Sequence, residues 1–159
     1  MTPSLYLGKS TENMVLSKLL SEYRETYLPV VDDQGVDLIV RTRRPEERDD
    51  AQIYDLSDGR MRTECLSSEF QEVQVKSAST EGLFAAFRCV PRPNYWFVFY
   101  VRDIDTMWLI HSSDVYRLSS ISAPGTKTAG QCSLSLSYKN GNTHQALDCY
   151  IVKDFTKLP

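Results

Sequence analysis

Val15, Leu16, Leu19, Leu20 and Tyr23 recur at the three-and-four spacing of one helical face. Ser10 or Thr11 stands ahead of them as an N-cap, which predicts a helix running to about Glu25. Glu12 falls on the apolar face of that helix near its N-terminal end. A carboxylate there is either a partner of the helix dipole or a group aimed into a cleft. The pattern then changes period. A short extended run over 27–31 ends in the turn-prone Asp32-Asp33-Gln34-Gly35. Residues 36–42 form a strand, with Asp37 and Ile39 on one face and Val36, Leu38 and Val40 on the other. After a mixed-charge connection over 43–60 and a weak strand over 61–66 comes a better strand, 70–77. Phe70, Glu72, Gln74 and Lys76 share one of its faces, and Gln71, Val73 and Val75 the other.

In the second half, 80–88 carries Leu83, Phe84, Ala85, Ala86 and Phe87 and is either a short buried helix or a strand. Residues 95–101 read as a buried strand, with a turn at Asp103-Ile104-Asp105 and 107–110 pairing back as a hairpin. Ser112-Ser113-Asp114 caps a short helix through Leu118. A loop over 119–131, a strand over 134–138, a turn at Lys139-Asn140-Gly141-Asn142 and a last strand or helix near 146–152 complete the chain. No internal repeat or second domain is visible, so residues 1–159 are expected to form one domain of mixed α/β (α+β) class.

Composition narrows the function only slightly. The chain's 159 residues, 42% of them hydrophobic, suffice for one good core. A formal net charge of -3 excludes a uniformly basic nucleic-acid binder, so any such surface must be a local patch. Cys65, Cys89, Cys132 and Cys149 have no C-x-x-C spacing, and neither His111 nor His144 lies near a cysteine in sequence. They read as thiols of a reducing compartment and not as a zinc site. The first eight residues lack the basic and apolar regions of a signal peptide, and the apolar run 95–101 is too short to span a bilayer. A cytoplasmic protein with no membrane association is expected.

The chemistry lies in the first half. If the strands at 36–42 and 70–77 are neighbours, Asp37, Gln74 and Lys76 come together. Magnesium prefers oxygen ligands. Asp37 offers a carboxylate, Gln74 and the Val75 backbone offer neutral carbonyls, and Glu12 can bind directly or through water. Lys76 would orient an attacking water or stabilise charge growing on phosphorus. That donor set suits phosphodiester hydrolysis. Arg41, Arg43, Arg44, Arg60 and Arg62 are candidate phosphate contacts, or else a solvated face beside Glu46, Glu47, Asp49 and Asp50. Trp96, Trp108 and Tyr100 sit in apolar strands and belong to the core. His111 with Ser112 and Asp114 is adjacent in sequence, which is not the geometry of a catalytic triad.

Gly8-Lys9-Ser10-Thr11-Glu12, then Gly35-Val36-Asp37-Leu38-Ile39-Val40, then Gln74-Val75-Lys76 resembles the PD-(D/E)xK nuclease superfamily, in its small members of pattern G-x-x-x-E, D-L-I-V, Q-V-K. Group I intron homing endonucleases, Holliday-junction resolvase-like proteins and restriction-endonuclease-like domains are of this kind. The resemblance covers about residues 5–115. It implies a restriction-endonuclease-like core, a central mixed sheet flanked by helices in the order α-β-β-β-α-β, with the site at one edge of the sheet. It implies that Glu12 is the first-helix acid, Asp37 the metal-binding acid, Gln74 the occupant of the second acid's position and Lys76 the lysine. The metal set is then Asp37, Gln74, Glu12 and Val75, holding Mg2+ or Mn2+, with DNA as substrate, a possible homodimer and no organic cofactor. Two departures stand out. Val36 replaces the name-giving proline, and Gln74 replaces an acid, with Glu72 as a possible compensating carboxylate. The implied activity is a DNA endonuclease, and the alternative is an inactive binding module of the same fold.

Overall fold

A computed structural model describes residues 3–22, 24–29, 35–42, 70–136 and 145–159. The turn expected at Asp32-Asp33-Gln34, the connection over 43–60, the strand over 61–66 and the turn at 139–142 lie outside the described residues, as do Tyr23, Cys65, His144, Arg43, Arg44, Arg60 and Arg62.

The first helix, α1 (Pro3–Ser21), begins well before the expected cap at Ser10 or Thr11. Proline suits a first helical position because its missing N–H is one that would have no helical partner. Thr11 is no cap. Its hydroxyl donates back to the Leu7 carbonyl at 2.8 Å, one turn earlier. Glu12 therefore sits in mid-helix, away from the positive end of the dipole, which removes the dipole-partner reading. Thr11, Val15 and Leu19, spaced by four, form the buried stripe, while Leu20 is exposed.

Strands β1 (Thr26–Tyr27), β2 (Leu38–Arg41), β3 (Phe70–Ala78), β4 (Gly82–Phe87), β5 (Tyr95–Val101) and β6 (Thr106–His111) follow. The chain continues through helix α2 (Ser112–Leu118), strands β7 (Ser120–Ile121) and β8 (Cys132–Leu136), helix α3 (Gln145–Asp148) and strand β9 (Ile151–Val152). The central sheet has the order β1-β2-β3-β5-β6-β9 and a smaller one the order β4-β8-β7. The central sheet is mixed: β3 and β5 are parallel, and its other neighbours antiparallel. A strand, β4, occupies the crossover from β3 to β5, where the implied order has a helix. It is held there by antiparallel pairing with β8.

Both faces of the central sheet are covered. On one face Val15 and Leu19 of α1, with Phe155 and Leu158 from the C-terminal segment, pack on Leu38, Val40, Val73, Val75, Val98 and Leu109. That segment is tied down where the Phe155 N–H donates to the Glu22 carboxylate at 3.0 Å. On the other face Tyr95, Phe97, Phe99 and Ile110 meet Phe84 and Phe87 of β4, Leu134 of β8 and Val115 of α2. Strand β5 is thus buried on both sides, and its nearly continuous apolar sequence follows from that. Trp108 is a core residue, as its sequence setting suggests. Trp96 and Tyr100 are half-buried and hydrogen-bonded to Gln71 and Asp105.

Candidate active site

The site forms where β3 outruns β2. Antiparallel pairing sets Leu38 opposite Val73 and Ile39 opposite Glu72. The Asp37 N–H donates to the Val73 carbonyl at 3.0 Å. One step further along β3, the Val75 N–H is taken by the Asp37 carboxylate at 2.6 Å. A side-chain oxygen thus stands where a backbone acceptor of β2 would otherwise be. The pairing foreseen from the period-two pattern is present, and it places the Asp37 carboxylate against the backbone of Gln74-Val75-Lys76. In an extended strand the N–H and C=O of one residue point to the same edge, so the Val75 carbonyl faces the Asp37 side too.

Gln74 and Lys76 project from β3 to the face covered by β4, and both line a cavity of about 460 Å3 between the two strands. Asp37 and Glu12 are not among its walls. Gln74 is buried, and its Oε1 accepts the Tyr95 hydroxyl at 3.1 Å. Gly35 crosses directly over the Gln74 amide with φ 72°, and a Cβ there would collide with the amide nitrogen. Only glycine satisfies both the left-handed backbone and that close approach. Burial pushes the Tyr95 phenol up to about 12, against the nearby Arg92 charge, so it stays a donor to Gln74. Arg92 lies over the Tyr95 ring at 4.1 Å and pairs with Glu72 at 2.8 Å. Glu72, the possible compensating acid, is thus engaged with Arg92, and it does not line the Lys76 cavity.

Glu12 is linked to the site less directly. Its carboxylate pairs with Lys9 one helical turn away at 2.7 Å. The Lys9 amine is raised by that hydrogen bond and by the Glu12 charge, with a smaller contribution from Asp37. The two acids therefore act on one ammonium. Among the described residues no three His, Cys, Asp or Glu side chains converge as a metal-holding group. Asp37, the Val75 and Gln74 carbonyls and Glu12 offer oxygen donors of the kind magnesium and manganese prefer, but Glu12 belongs to α1, which covers the face of the sheet opposite the one from which Gln74 and Lys76 project.

Other candidates resolve into structure. Arg41 pairs with Glu25 at 3.2 Å. The His111 Nδ1 accepts the Ser113 N–H at 3.4 Å and caps α2, a task expected of the serines. Its Nε2 lies 3.1 Å from the Pro93 carbonyl, so both ring nitrogens are engaged and no triad forms. Among the described cysteines Cys89 and Cys132 are buried and Cys149 is exposed, all as free thiols. Among the described residues no helix is long and apolar enough to cross a membrane. Tyr95, which sequence reasoning assigned only to a buried strand, reaches Gln74 across the parallel β3–β5 pair and carries no local signal of that role.

No family model matches the chain, and no curated protein is similar to it at a significant level. Among solved structures it is similar to a bacterial homing endonuclease, I-Ssp6803I, at 11% identity and a TM-score of 0.57, over 94% of this chain and 89% of that one. The chain therefore has a mixed α/β fold with a mixed central sheet, similar to that of a homing endonuclease.

Proposed function

We propose that the chain is a metal-dependent DNA endonuclease of the PD-(D/E)xK kind, hydrolysing phosphodiester bonds at the notch where β3 outruns β2. One observation carries this reading. The Asp37 carboxylate is fixed on the backbone between Gln74 and Lys76, within a fold similar to that of a homing endonuclease. Asp37, Gln74, Glu12 and the Val75 carbonyl would hold the Mg2+ or Mn2+. When bound, such an ion acidifies a water and offsets charge on the phosphate. Tyr95 fixes the Gln74 amide so that its carbonyl keeps one orientation. Lys76, a compact cation on a flexible stem, steers the attacking water or stabilises the charge that grows on phosphorus. Cutting both strands of a duplex needs two such sites, which a homodimer would supply.

The test is plasmid nicking with and without magnesium, for the parent and for Asp37→Ala and Lys76→Ala. Each substitution is expected to reduce magnesium-dependent nicking by about a hundredfold or more. Metal-dependent cleavage that survives both substitutions overturns the proposal.

A catalytically inactive binding module of the same fold is favoured by a different feature. Asp37, Gln74 and Glu12 each have a protein partner, in Val75, Tyr95 and Lys9. Calorimetry with millimolar magnesium or manganese separates the two readings. The absence of both binding heat and any rise in Tm would favour the binding module.

A further inference from the structure

We infer that the cavity between β3 and β4 seats a DNA phosphate gripped from two sides, by Lys76 and by Arg88 on the opposite wall. This deepens the nuclease reading and rests on it. The described walls of the cavity include two cationic residues, Lys76 and Arg88, and no carboxylate. Two like charges on residues that line one cavity favour an anion there. Gln74 and Ser77 add neutral hydrogen-bonding groups on the β3 wall.

Arg88 is held in place by the fold. The pairing of β4 with β8 shifts register between Phe84 and Phe87, and Ala86 there has φ 57°. That bulge lets both phenylalanines pack on Phe99, with ring centroids 5.0 and 5.7 Å apart. The Ala86 N–H donates to Ser133 Oγ at 3.3 Å. On the other side of Arg88, Cys89 is buried and its thiol donates to the Ser112 carbonyl at 3.3 Å. Arg88 thus stands exposed between two anchored residues, its backbone fixed and its side chain free to reach a ligand. Ala85 and Ala86 line the same wall, and both are small and exposed, which leaves room for a nucleic-acid backbone to approach. A guanidinium meets a phosphate with two parallel hydrogen bonds, and such contacts set the register of the backbone without reading sequence.

Fluorescence anisotropy with a labelled DNA duplex, titrated across 50–200 mM salt, tests the inference. Arg88→Gln is expected to weaken binding about tenfold and to reduce the salt slope by about one. Arg88→Lys should recover part of the loss, and in cleavage assays the change should fall on KM more than on kcat. Arg117→Gln, which removes an exposed charge on α2 outside the cavity, serves as the comparison. Unchanged affinity and slope in Arg88→Gln, in a parent that cleaves, overturns the inference and leaves the nuclease reading standing. An equal loss in Arg117→Gln also overturns it, since the effect would then be one of general charge. A parent that binds DNA through Arg88 without cleaving it keeps the phosphate site and ends the nuclease reading. A parent that neither binds nor cleaves DNA ends both.

Discussion

The Asp37 carboxylate has a structural task besides its proposed chemical one. It is the acceptor for the Val75 N–H, and Val75 is buried. Asp37→Ala leaves that donor without its partner, which is expected to cost about 1–3 kcal/mol. Asp37→Asn keeps an acceptor oxygen in the same place and is expected to stay within about 1 kcal/mol of the parent. Both should abolish metal-dependent cleavage, because neither offers an anionic oxygen. Urea unfolding of the three proteins beside the nicking assay separates the two tasks. An alanine variant as stable as the parent would show that the bond to Val75 adds nothing to stability. The same division applies to Gln74, whose carbonyl is committed to Tyr95 and whose amide lies beneath Gly35. Neither partner could be found from the residues alone, since Tyr95 is brought across by strand pairing and Gly35 reads as the end of a turn and the start of the Asp37 segment, with no sign of its approach to Gln74.

At the scale of elements, alternation was the most readable signal. Period two over β3 separated Gln74 and Lys76 from Val73 and Val75, and the two sets do face different layers. The hairpin β5–β6 was equally plain, because its apolar run is bounded by Asp103 and Asp105, the latter left-handed at φ 43°. One element misled and another stayed open between helix and strand, each for a physical reason. The start of α1 was placed too late, because Ser10 and Thr11 carry the side chains of caps while Gly8 weakens the helical signal before them. For β4, Phe84 and Phe87 have helical spacing, but a bulge at Ala86 brings both to one face of a strand. Arg88, the inferred phosphate contact just beyond that bulge, carries no local signal in the sequence. The stripe that holds α1 to the sheet gives a direct check. Leu19 is wholly buried against the sheet, whereas Leu20 is 52% exposed. Leu19→Ala is expected to cost about 2–5 kcal/mol and Leu20→Ala less than about 0.5. Similar losses in thermal unfolding for both would mean that the stripe has been assigned to the wrong residues.

For the molecule as a whole, the core beneath β4 makes stability depend on alkaline pH. Burial pushes the Cys89 thiol from 9.0 up to about 12, with Cys132 beside it acting in the same direction. Cys132 is raised too, again by burial, and Tyr95 rises from 10.0 to about 12. In each case the fold favours the neutral form. Below pH 9 these groups are protonated both folded and unfolded, and their contribution to stability is fully present. Above pH 9 the unfolded chain loses thiol protons that the folded one keeps, so stability falls, and from pH 10 the Tyr95 phenol adds to the fall until about pH 12. The Tm is therefore expected to decline from pH 9 upward. In a Cys89→Ala, Cys132→Ala double variant the onset should move toward pH 10, where Tyr95 takes over. The same onset in both proteins would rule out the buried thiols as its source. Since the unfolded phenol titrates only near pH 10 and the folded one near 12, Tyr95 remains a donor to Gln74 throughout the neutral range. A loss of cleavage with pH in that range would therefore have to arise from a group other than Tyr95.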